Sequence, residues 1–90
     1  MSKGTVLVVD DDATILDLVQ LALEDGGYCV LVSIDGAALR LAHEQQPDLI
    51  LMDLMMPEMD GREVTTRLRA DSATAHIPII VLSARRNLTH

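Results

Sequence analysis

Ninety residues make one small domain, 49% apolar and 23% charged, a composition that reads as globular rather than disordered. Fourteen acidic residues against seven basic ones give a net charge of −7, which argues against non-specific binding to nucleic acid or anionic lipid. With one tyrosine and no Phe or Trp, the core must be built from Val, Leu, Ile, Met and Ala.

The amino-terminal stretch MSKGTVLVVDDD lacks a signal-peptide layout, because acids follow its short apolar run at once. No apolar stretch approaches membrane-spanning length. A cytoplasmic protein is therefore expected, with no membrane partner. The first apolar run, Thr5–Val9 (TVLVV), reads as a strand, and Asp10, Asp11 and Asp12 follow it. Thr14 to Glu24 then carries Ile15, Leu18, Val19, Ala22 and Leu23 at helical spacing. Asp12 or Thr14 is placed to cap its start, and Gly26-Gly27 to end it. The second run is Cys29–Val32 (CVLV). Its lone cysteine has no disulfide partner within the chain and is expected as a reduced, buried thiol.

Gly36 to Gln46 repeats the helical spacing with Ala38, Leu39, Leu41 and Ala42, and Pro47 stops it. The third run, Leu49–Met52 (LILM), ends directly on Asp53. A shorter helix, Arg62 to Ala70, shows Val64 and Leu68 on one side. The fourth run, Ile79–Leu82 (IIVL), is followed by Ser83. None of the four runs alternates apolar with polar, so both faces of each strand are expected to be covered, the habit of parallel sheets. The order β-α-β-α-β-α-β implies a doubly wound α/β sheet. After Leu82 the chain reads SARRNLTH, which offers no covering helix. A fourth strand at the sheet edge would then expose apolar side chains and open backbone groups. Either the chain is a fragment, or something else covers that edge.

Ligands of open α/β sheets bind beyond the carboxyl ends of the strands. Asp10 to Asp12 follow the first strand and Asp53 the third; if those strands are neighbours their ends lie about 5 Å apart, which would bring at least three carboxylates into one small space. Packed like charges raise one another's pKa, and a divalent cation relieves them. All-oxygen ligands with room for water suit Mg2+ beside a phosphoryl group. Asp53 is then a candidate nucleophile forming an acyl phosphate, and Ser83 a hydrogen-bond donor to the phosphoryl oxygens. Asp12 stays a helix cap.

The segments VLVVDDD, DLILMDLMMPEMDG and IPIIVLSA together resemble the receiver domain of two-component response regulators. The likeness runs from Val6 to Ala84 and implies a flavodoxin-like fold with strand order 2-1-3-4. It implies that Asp53 is the phosphoacceptor, that Asp11 binds Mg2+ directly, that Asp10 assists through water, and that the Met55 backbone carbonyl is a further ligand. It also implies that Ser83 follows the phosphoryl group on activation and that Ala84 leaves room for it. The same likeness implies that Pro57 and Gly61 shape the loop after Asp53. The implied partner is a sensor histidine kinase or phosphotransfer protein, and the domain receives a phosphoryl group rather than acting as an enzyme. Family receivers continue with a helix, a fifth strand and a last helix. That portion carries a lysine that pairs with the phosphate and an aromatic switch residue. Here the only lysine is Lys3 and the only aromatic is Tyr28, so residues 1–90 read as a receiver incomplete at its carboxyl end.

Other readings are weaker. His43, His76 and His90 show no metal spacing, and His43 is expected on a solvated helix face. Arg62, Arg67 and Arg69 read as a solvated basic edge, and Met52, Met55, Met56 and Met59 as packing residues. Neither G-x-x-x-x-G-K-S/T nor G-x-G-x-x-G occurs. A phosphohydrolase with an Asp nucleophile would place a second Asp where Met55 stands. The alternative function is a truncated or pseudo-receiver that self-associates through its fourth-strand edge.

Overall fold

The structure is a computed structural model that describes residues 3–34, 37–56 and 59–82, with Met55, Met56 and Met59 described by backbone alone. Among the described residues the elements follow in the order β1 (Thr5–Val9), α1 (Ala13–Asp25), β2 (Cys29–Ser33), α2 (Ala37–Gln45), β3 (Leu49–Met52), β4 (Met55–Met56), β5 (Met59–Asp60), α3 (Gly61–Ala70) and β6 (Ile79–Val81). Four strands form one parallel sheet in the order β2-β1-β3-β6. With β6 as the fourth long run, this is the expected 2-1-3-4 order. Two further strands, β4 and β5, pair antiparallel as a short ribbon. No sequence signal announced them, since two-residue strands fall below any readable period.

Strand β1 is central, and its side chains divide between two apolar clusters by strand alternation. Leu7 and Val9 join Ile50, Met52, Ala38, Ala42, Val64, Leu68 and Ile77, so α2 and α3 cover that face. Val6 and Val8 join Leu16, with Val19, Leu23, Leu49 and Leu51 packed alongside, so α1 covers the other. The helices begin where side chains satisfy orphan backbone donors. Asp12 caps α1, accepting from the Thr14 N–H at 2.9 Å and the Ile15 N–H at 3.4 Å. Helix α2 ends at Gln45, and Gln46 turns into the left-handed region at φ 47°. Its side-chain amide donates to the His43 and Ala73 carbonyls at 3.1 and 3.0 Å, tying the helix end to the loop before β6.

Three expectations need correction. Cys29 is exposed, because β2 is an edge strand of the sheet among the described residues. Coverage on both faces holds for β1 but not for the edges. Along β6, the edge of the sheet among the described residues, Ile80 is 51% and Val81 45% exposed. Helix α1 is also rotated from the predicted stripe: Leu16, Val19 and Leu23 face the sheet, while Leu18 stays 60% exposed. Apolar residues surround most of α1, so period alone does not select the buried face. Among the described residues, no helix is long and apolar enough to cross a membrane.

The rotation of α1 is directly testable by urea unfolding. Leu16→Ala should cost about 2–4 kcal/mol, and Leu18→Ala no more than about 0.5 kcal/mol. Equal losses, or a larger loss at Leu18, would contradict the packing.

Candidate metal and phosphoryl site

The site is a consequence of register. In the β1–β3 pairing Val9 stands opposite Met52, so the next residues, Asp10 and Asp53, leave adjacent strand ends side by side. Alternation carries both past the strand ends on the side of Val8 and Leu51, the face covered by α1. Backbone bonds fix each of them: the Asp53 N–H donates to the Val9 carbonyl at 2.9 Å, and the Asp10 N–H to the Ser33 carbonyl at 3.1 Å. Asp11 follows at the exposed lip.

Carboxylate oxygens of Asp10, Asp11 and Asp53 all lie within 4.8 Å of one another. Asp10 is 3% exposed and Asp53 1%. Burial pushes the Asp10 carboxyl above the usual value of 3.8. The Asp12 N–H, donating to Asp10 Oδ1 at 3.0 Å, opposes that rise, and the neighbouring Asp53 and Asp11 charges reinforce it. The donor set therefore fits a hard divalent cation. It offers only carboxylate oxygens, close enough to share one ion, with one residue open to solvent water.

The loop after Asp53 is held from below. A Cβ on Gly61 would lie 2.5 Å from the Asp53 carbonyl oxygen and 2.7 Å from Leu54 Cα. Only a residue without a side chain allows α3 to begin so near the Asp53 backbone. Met55 opens β4, and its backbone pairs with Asp60. Pro57 lies outside the described residues, as do Ser83 and Ala84. His43 and His76 are exposed and stand outside the carboxylate cluster. His43 Nε2 instead lies 3.9 Å from Asp71.

Sequence reasoning missed two placements. Arg69 is exposed, as expected of the basic edge, but its guanidinium also donates to the Ala75 and Ile77 carbonyls at 2.9 and 2.7 Å. Asp60 caps α3, accepting from the Arg62 N–H at 2.9 Å. A signal for that cap existed in Asp60-Gly61-Arg62-Glu63, an acceptor followed three residues later by Glu.

The chain matches the response regulator receiver domain family over residues 6–90. It is 49% identical over 80 residues to the DNA-binding dual master transcriptional regulator RpaA of Synechocystis sp., a match covering 88% of this chain and 33% of that protein. The chain thus spans about a third of that relative's length. Among solved structures, the amino-terminal domain of a response regulator receiver protein from Methanoculleus marisnigri aligns with a TM-score of 0.88 and 42% identity, over 92% of this chain and 68% of that one. The receiver domain of the sensor histidine kinase PA1611 from Pseudomonas aeruginosa aligns with a TM-score of 0.86 and 34% identity, over 94% and 70%. In that structure a magnesium ion is coordinated in the active site cleft.

The raised Asp10 value has a signed consequence. Between 3.8 and its raised value, Asp10 binds more protons in the folded chain than in the unfolded one, so this group's stabilising contribution is lost as pH rises through its raised value. In EDTA, Asp10→Asn keeps the acceptor for the Asp12 N–H but removes the charge. Its stability relative to wild type should climb across that window and exceed wild type at pH 7. Urea midpoints measured from pH 4 to pH 8 check this, and a constant or falling difference would contradict it.

Proposed function

This chain belongs to the response regulator receiver domain family, and on that footing we propose that Asp53 accepts a phosphoryl group from a sensor histidine kinase or phosphotransfer protein, with Mg2+. The observation that carries the reading is the buried Asp53 carboxylate at a strand end, sharing a 4.8 Å cluster with Asp10 and Asp11. Within two-component signalling the domain is a receiving module rather than an enzyme with a substrate of its own.

The roles divide by position. On the family resemblance, Asp11 at the exposed lip would hold the cation directly, and the deeper Asp10 would assist through water. The Met55 backbone carbonyl provides a further oxygen. When bound, Mg2+ supplies charge neutralisation for an arriving phosphoryl group. An Asp53 oxygen attacks phosphorus of the phosphohistidine. A P–O bond forms as the P–N bond breaks, and the departing imidazole takes up a proton from water. Ser83 donates a hydrogen bond to a phosphoryl oxygen, Ala84 leaves it room, and Pro57 and Gly61 shape the loop that holds Asp53. The expected compartment is the cytoplasm. The output lies with a neighbouring domain or another protein, since a chain of net charge −7 is poorly suited to contact nucleic acid itself.

Incubation with acetyl phosphate and Mg2+, followed by intact mass, tests the assignment. Wild type should gain a single phosphoryl adduct, lost in EDTA and absent from Asp53→Ala. No adduct on wild type, or an undiminished adduct on Asp53→Ala, would sink it.

A further inference from the structure

Asp60 lies outside the carboxylate cluster, yet three observations tie it to the backbone that carries Asp53. Its own backbone is extended, at φ −86° and ψ 110°, so it belongs to β5 while capping α3. In the ribbon it stands opposite Met55, two residues past Asp53. Its chain neighbour is Gly61, packed directly on the Asp53 carbonyl and Leu54 Cα.

Helix α3 is anchored to the core by Val64 and Leu68. The cap transmits that anchorage upward. While the Asp60 carboxylate accepts the Arg62 N–H, the first turn of α3 stays wound and Gly61 stays seated. Without the side-chain oxygen, that turn frays. The two contacts that residues 60 and 61 make with residues 53–55 then loosen together. Asp60 is exposed and is not one of the three residues whose oxygens cluster within 4.8 Å, so it acts through the backbone and not as a ligand.

We propose that Asp60 is a positioning residue for the metal site: by capping α3 and pairing with Met55, it holds the loop after Asp53 against the carboxylate cluster. The inference rests on the reading of Asp10, Asp11 and Asp53 as the Mg2+ site.

The test is Mg2+ titration of the full chain, followed by amide NMR shifts, which also report whether each variant is folded. Asp60→Ala should weaken Mg2+ binding about tenfold, as loss of supporting residues around metal sites does. Asp60→Asn keeps a capping oxygen without the charge and should bind within about twofold of wild type. Thr74→Val removes a 2.7 Å bond from the Thr74 hydroxyl to the Leu68 carbonyl at the far end of α3. It should lower stability yet keep wild-type affinity. Unchanged binding by Asp60→Ala would overturn the proposal. So would Asp60→Asn binding as weakly as Asp60→Ala, which would make charge the cause, or an equal loss in Thr74→Val, which would make general loosening the cause. Failure of wild type itself to bind Mg2+ would remove the metal site and this inference together. Wild-type binding with any of the other three results removes this inference alone.

Discussion

Everything at the site depends on one pairing, Val9 opposite Met52 in the parallel ladder between β1 and β3. It sets Asp10 and Asp53 at the same height and on the same side of the sheet. A slip of one residue would send one carboxylate to the other face. The apolar side chains beneath enforce that register, since Val8, Val9, Ile50 and Met52 are all fully buried. The core therefore holds two like charges together that would separate in a free chain. Burial, reinforced by the neighbouring charges, pushes the Asp10 carboxyl up, and the proposed cation would relieve both.

Below the carboxylates, the loop after Asp53 is clamped between two supports. The Asp53 N–H is bonded to β1, and Gly61 presses on its carbonyl from the start of α3. The ribbon of β4 and β5 closes the loop between them. A shift at the head of α3 is thus felt at Asp53 with few intervening atoms. That short path links packing at Val64 and Leu68 to the geometry of the acid cluster.

Much of this was legible in the chain. The apolar runs at residues 5–9, 29–32, 49–52 and 79–82 marked the four strands of the parallel sheet. Asp10, Asp11 and Asp53 stood out as charges set directly at strand ends. The face of α1 was not legible, because Leu16 and Leu18 are equally apolar and only the tertiary fit separates them. Cys29 misled for a related reason: composition does not tell an edge strand from a central one. The Asp60 cap was readable as a pattern, but its pairing with Met55 is a long-turn contact that no local period encodes. Arg69 likewise bonds carbonyls six and eight residues away, beyond any helical spacing.

The central claim is that the fold holds Asp10, Asp11 and Asp53 as a cation site. The most direct test is the unfolding free energy at pH 7 as a function of Mg2+ concentration, at constant ionic strength. A ligand that binds only the folded chain stabilises it by RT ln(1 + [L]/Kd). Wild type should gain stability with that logarithmic dependence, and Asp53→Asn should lose most of the gain. A wild-type midpoint indifferent to Mg2+, or an equal gain in Asp53→Asn, would contradict the account.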